Sequence, residues 1–302
     1  MRRNTGSLWV GARYSLLILG IAGHLAAALA VPVSESAAAL NDQHTLLAAQ
    51  LKNNVFHRPL VLLSTTTQQG LRGDIYALMP FPFDAVSTAF KQPDQWCQVM
   101  ILHINTKYCH AATDATGTVL SVNIGTKAPQ ELAKAARVRF NFQLKEESPG
   151  YFEVLLDAKD GPMGTSDYRI RLEAVSLPSS QTFMHLTYSY SANFAARLAM
   201  QAYLATTGAD KVGFTVVDKR ANGQLVYVAG VRGLVERNTM RYYLAIDSFM
   251  QSAQSEPAMQ LEERLQAWFT AVEQYPRQLH EMDRTAYLEM KHAEVLRQQT
   301  AR

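Results

Sequence analysis

The sequence predicts an α+β fold: a curved antiparallel sheet wrapped around one long helix, with extra helices at the C-terminus. Three observations predict it. Between residues 73 and 190, segments with two-residue alternation of apolar and polar side chains follow one another with only tight turns between them. Two short helical segments separate the first of these strands from the rest. A long amphipathic stretch then occupies residues 230–250. Closely spaced strands joined by turns argue for a meander, because parallel strands need crossovers of a dozen residues or more. A sheet curved around a helix encloses an apolar space.

The elements follow in order. Residues 73–79 form the first strand, which Pro80-Phe81-Pro82 ends. Residues 83–91 form a short helix with Phe83, Val86 and Phe90 on one side, and Asp84 near its start offsets the helix dipole. Pro93 suits the first turn of a second helix, which carries Trp96, Val99 and Met100. In residues 138–145, Val138, Phe140, Phe142 and Leu144 face one way, and Arg139, Asn141, Gln143 and Lys145 the other. That is a half-buried antiparallel strand. Phe152, Val154, Leu156 and Ala158 repeat the pattern after a Ser148-Pro149-Gly150 turn. Tyr168, Ile170, Leu172 and Ala174 oppose Arg169, Arg171 and Glu173, beyond a connection marked by Gly161-Pro162 and Gly164. A strand at 182–190, a helix at 193–205 and an irregular stretch at 212–228 lead to the long helix. At 100° per residue its inner face carries Val231, Leu234, Val235, Asn238, Tyr242, Ala245, Ile246 and Phe249. Met240 and Leu244 lie opposite, so the C-terminal helices should cover its rear. Leu261, Leu265, Trp268 and Val272 give these helices one apolar stripe. Residues 280–302 carry alternating charges with Met282, Leu288 and Leu296 as sparse anchors, so this segment is expected to pack loosely and fray near its end.

Asp74-Ile75-Tyr76-Ala77, Pro82-Phe83-Asp84-Ala85-Val86 and Trp96, set in this order of elements, resemble the START/Bet v 1-like (SRPBCC) helix-grip superfamily over roughly residues 58–253. The resemblance implies binding of lipids, sterols, polyketides or other apolar small molecules in an internal cavity. A minority of members are enzymes such as cyclases. It also implies that the inner face of the long helix closes the cavity. Asn238, Tyr242, Val231, Val235 and Phe249 are therefore the candidate ligand-binding residues. Asn238 is the polar group in the middle of that face; it either bonds a ligand's polar end or is satisfied by strand backbone.

The domain organisation reads as a signal peptide at 1–30, an N-terminal helical segment at 31–57, the helix-grip domain at 58–253 and a helical extension at 254–302. Arg2, Arg3 and Arg13 form a basic region, residues 14–29 are apolar, and Ala28-Leu29-Ala30 is a cleavage site. The expected location is the periplasm. The apolar stretch is shorter than the ~20 residues that span a bilayer, so anchoring to the inner membrane by an uncleaved signal is the alternative.

The 302 residues, 48% hydrophobic, can bury a sizeable core. The net charge of +3 is modest, and scattered basic residues give nucleic-acid binding no support. Cys97 and Cys109 suggest a disulfide in an oxidising compartment. Bringing them within the roughly 7 Å a disulfide needs requires the chain to fold back near His103. A metal site of Cys97, His103, Cys109 and His110 is the alternative, with a spacing foreign to common zinc patterns. No nucleophile elbow, phosphate loop or dinucleotide fingerprint occurs, and no cofactor is expected. Asp157, Asp160 and Asp167 lack calcium-loop spacing and flank a turn that could gate the cavity. The function expected is export and binding or carrying of an apolar small molecule or lipid. A cyclase- or hydrolase-type enzyme using Glu236, or an envelope protein that docks a partner through its C-terminal helices, are the alternatives.

Overall fold

Proline-flanked turns and alternating strands set the architecture in the computed structural model, which describes residues 35–67, 70–206 and 208–300. The expected signal peptide lies outside these residues. Helix α1 (Glu35–Lys52) precedes a hairpin of β1 (Leu60–Thr66) and β2 (Gly70–Met79). Two short helices follow, α2 (Phe83–Phe90) and α3 (Pro93–Met100). The meander comprises β3 (Thr106–Asp114), β4 (Gly117–Ile124), β5 (Ala136–Ser148), β6 (Tyr151–Asp160), β7 (Thr165–Ser176) and β8 (Thr182–Ala192). Then come α4 (Phe194–Ala205), the small hairpin β9 (Val216–Lys219) and β10 (Leu225–Tyr227), and α5 (Gly230–Ser252). Helices α6 (Pro257–Val272), α7 (Pro276–Leu279) and α8 (Arg284–Thr300) follow.

The large sheet is antiparallel and eight-stranded, in the order β1-β2-β8-β7-β6-β5-β4-β3. Its curvature follows from two ring contacts of α5. Tyr242 packs against Tyr188 of β8 and against His103, just before β3, with centroids 5.3 and 4.9 Å apart. Five strand steps separate β8 from β3, about 24 Å in a flat sheet at ~4.8 Å per strand. One side chain reaches both only because the sheet curls around the helix. This is the helix-grip arrangement the sequence predicts.

The alternation puts Val138 and Phe140, the run Phe152 to Ala158, and Tyr168 to Ala174 on the inner face, all buried. Leu144 departs from the expectation: it is 42% exposed, next to a register shift between Leu144 and Glu146 that breaks the alternation. Strand β1, absent from the sequence reading, extends the sheet beyond β2 with Leu60 paired to Ala77. Helix α1 covers the outer face, where Leu40, Leu47 and Leu51 meet Val61, Val175 and Phe183. That cover leaves β8 buried on both faces along most of its length. Gly73 lets α5 cross β2 closely, since a Cβ there would collide with Thr239.

The described residues form one compact unit. Helix α8 is anchored by more than the sparse apolar residues expected. Tyr287, Met290, Lys291, Glu294 and Val295 of α8 are all buried, and Tyr287 donates to the Leu102 carbonyl at 2.9 Å. The rear of α5 is covered by α6, with Trp268 Nε1 donating to the Arg241 carbonyl. The disulfide between Cys97 and Cys109 is present, with Cα atoms 5.1 Å apart, and ties α3 to β3. Among the described residues no helix is long and apolar enough to cross a membrane.

Candidate ligand cavity

Where the β6–β7 turn meets the end of β4 and the start of β3, the sheet leaves a cavity of about 150 Å³ against α5. Each wall residue is placed by its element. Phe140, Tyr168 and Tyr188 are inward positions of β5, β7 and β8, and Ile124 ends β4. Asn238 and Tyr242 are one helical turn apart on α5 and so share a face. His103, Asn105 and Thr106 come from the turn in which the chain folds back after α3. Pro162 contributes the β6–β7 turn. That turn therefore bounds the cavity, with Met163 beside it 80% exposed.

The walls carry polar atoms but no formal charge. Burial pushes the phenols of Tyr168, Tyr188 and Tyr242 upward, so all three stay protonated. Burial also holds His103 well below its ordinary range, helped by the positive field of Arg241, Lys291, Lys127 and Lys107. The imidazole is neutral, and its tautomer is set locally. The Asn105 backbone N–H donates to Nδ1 at 3.2 Å, which leaves the proton on Nε2. Asn238 accepts from Arg241 Nη1 at 3.3 Å and bonds the Tyr188 hydroxyl. These partners are side chains, not the strand backbone that is one of the two readings from sequence.

Of the five sequence candidates, Asn238 and Tyr242 line this cavity and the other three do not. Val235 is fully buried in the core, and Val231 packs partly buried against the same cluster. Phe249, nearly two turns beyond Tyr242, packs against Phe90 and lies under the Arg264 guanidinium. Tyr168 and Tyr188 were not anticipated as wall residues. Alternation gave the face of Tyr168 but not its depth along the strand.

Glu236, the candidate acid, is fully buried and its carboxylate is occupied. It accepts from Ser64 Oγ at 2.5 Å, Thr215 Oγ1 at 2.7 Å, and the amides of Phe214 and Thr215 at 2.5 and 2.9 Å. These bonds fasten β1 and the segment before β9 to α5, and Glu236 is not a wall residue of the cavity. The alternative metal set fails because Cys97 and Cys109 are joined to each other. Among the described residues no group of three or more metal-ligating side chains is suitably placed.

Two further polar clusters are closed rather than open. On the outer face of the sheet His185 lies between two carboxylates, with Nδ1 2.7 Å from Glu173 and Nε2 2.8 Å from Asp74. Tyr76 stacks over its ring at 4.0 Å. Arg72 and Thr187 also bond Asp74, and Arg171 and Tyr151 bond Glu173. Although burial opposes charge here, the two carboxylates raise His185, and His185 and the arginines lower both acids. Beneath β3, Glu294 bridges Lys107 at 2.9 Å and Lys291 at 2.7 Å. Lys291 also donates to the carbonyls of His103 and Thr106, at 2.8 and 2.9 Å.

No protein-family model and no curated protein matches the sequence. Solved structures with a similar backbone include norcoclaurine synthase from Thalictrum flavum, at 14% identity over 48% of this chain and 89% of that one, TM-score 0.34. Human StAR-related lipid transfer protein 5 is similar at 6% identity over 57% of this chain and 92% of that one, TM-score 0.30. A conserved protein of unknown function from Enterococcus faecalis matches at 7% identity over 80% and 92%, TM-score 0.31. At such identities, function has to be read from the residues of this chain.

Proposed function

We propose that this is an exported protein that binds or carries an apolar small molecule in the cavity between the sheet and α5. The observation that carries the reading is the cavity itself, walled by Phe140, Tyr168, Tyr188, Tyr242 and His103 and free of formal charge. Such a concave, aromatic site with a few polar handles is the usual form of a small-molecule site. Its volume of about 150 Å³ is below the ~300 Å³ at which drug-sized ligands begin to fit. The ligand is therefore compact, and a lipid chain would require the cavity to open. Export is supported by the basic and apolar N-terminal sequence and by the disulfide, which persists in oxidising compartments. A catalytic role for Glu236 has no support from its closed environment. Helices α6 and α8 bury most of their apolar side chains on the domain itself, which gives a partner-docking tail no support.

The test is to purify the protein from the compartment it is secreted to and identify what it holds, by native mass spectrometry and solvent extraction. A stoichiometric apolar compound of low mass is expected. If nothing co-purifies and no apolar probe binds, the reading is wrong. Cell fractionation of a tagged chain tests export separately; retention of the full-length chain in the cytoplasm would overturn that part.

A further inference from the structure

His103 is 4% exposed and lines the cavity, yet its Nε2 has no hydrogen-bond partner. Nδ1 is already taken as an acceptor by the Asn105 amide, so Nε2 carries an N–H with nothing to receive it. A buried donor without a partner is uncommon in folded proteins, and where one occurs it calls for an explanation. Here the side chain cannot turn away to find one. It is stacked on Tyr242, and flipping the ring would cost the Asn105 bond. The donor is held in place in a side chain that lines the cavity.

The space itself restricts the occupant. A cavity of about 150 Å³ accepts a molecule near the size of benzene. Four aromatic side chains besides His103 form its walls, and such rings favour stacked or edge-on contact with another ring. Lys107, Lys127, Arg241 and Lys291 outnumber the two carboxylates they pair with, Glu294 and Glu281, so the field at His103 favours an atom with negative character.

We propose that the cavity takes a monocyclic aryl carbonyl compound, its ring among the tyrosines and its oxygen accepting the His103 Nε2 proton. This deepens the cavity-binding reading above and rests on it.

The experiment compares two probes of nearly identical shape, acetophenone and α-methylstyrene, which differ in having an oxygen or a methylene group at the acceptor position. Binding to the full-length protein is followed by calorimetry, and the imidazole nitrogens by ¹⁵N NMR. Acetophenone should bind about tenfold more tightly, a factor worth about 1.4 kcal/mol. It should shift the His103 Nε2 resonance while Nδ1 remains an acceptor. In His103→Phe, which keeps a ring beside Tyr242 and removes the N–H, α-methylstyrene should still bind and the tenfold preference should vanish. Equal binding of both probes to the wild type, with Nε2 unmoved, overturns the donor proposal and leaves the cavity reading intact. Binding of neither overturns both. If His103→Phe fails to fold, the wild-type preference and the nitrogen shift decide the matter.

Discussion

Replacing His185 with Phe should reveal how much the fold depends on one buried charge. Phe keeps the flat ring against Tyr76 and removes both nitrogens. Losing one partner of a buried charged cluster costs about 3–5 kcal/mol. Asp74 keeps Arg72 and Thr187, and Glu173 keeps Arg171 and Tyr151, so the loss should fall near the lower end, about 3 kcal/mol. The pH dependence is the sharper signature. A neutral imidazole has one N–H, so it can donate to only one of the two carboxylates. Because His185 is raised in the folded state, its contribution is fully present below its ordinary value of 6.5 and is lost as pH rises through the raised value. Asp74 and Glu173 are lowered, so their contribution is present above their ordinary values of 3.8 and 4.5 and is lost as pH falls through the lowered ones. The cluster therefore stabilises most between 4.5 and 6.5. Urea denaturation of both proteins from about pH 5.5 to about pH 9.5 measures the effect as a difference. Lys291, held near about 8 by burial, titrates in both proteins and cancels. The gap should be widest at the acid end and narrow as pH rises. A gap independent of pH, or one that widens toward alkali, would refute the charged assignment of His185.

Three further outcomes are expected. Replacing Cys97 and Cys109 together by Ala opens a loop of 12 residues' separation and should cost about 3 kcal/mol by loop closure, read by urea denaturation; thiol labelling of unreduced, denatured wild type should find neither cysteine free. Glu294→Gln leaves the ammonium groups of Lys107 and Lys291 buried without their shared carboxylate, and should cost about 3–5 kcal/mol; a loss below about 1 kcal/mol would show that the pair does not depend on it. Asn238→Leu removes a partner from both Arg241 and Tyr188, so the melting temperature should drop by the equivalent of about 1–3 kcal/mol while the ligand extracted from the cavity stays the same; a change of ligand with unchanged stability would make Asn238 a recognition residue.

Much of the sheet was legible because half-buried strands write their two faces into the sequence. Phe152 to Ala158 and Tyr168 to Ala174 alternate in the sequence and are buried as read. Strand β1 was not legible, since Leu60 to Leu63 is a short apolar run without alternation. The docking of α8 was hidden for a different reason. Pattern reading counts charge as exposure, whereas Lys291 is 0% and Glu294 2% exposed. Their burial depends on Lys107, some 180 residues earlier, which no local pattern announces. The cavity shows the same limit. The inner face of α5 could be read from helical periodicity, but Asn238 and Tyr242 line the cavity while Val235 and Phe249 fill the core. What separates them is position along the helix axis, which periodicity does not encode.

The last helix also bears on how the protein stays a separate molecule. Strand β3 ends the sheet, and an end strand offers unpaired amides and carbonyls to any passing chain. Here α8 occupies them from its side chains: Gln298 accepts from the Cys109 amide, and Lys291 bonds the Thr106 carbonyl. Because α8 lies far along the chain from β3, that edge stays open until α8 docks. A chain cut before α8 would then keep its cavity walls and its disulfide cysteines, and still present a sticky strand to its neighbours. Aggregation, more than loss of binding, is the failure such a truncation should show.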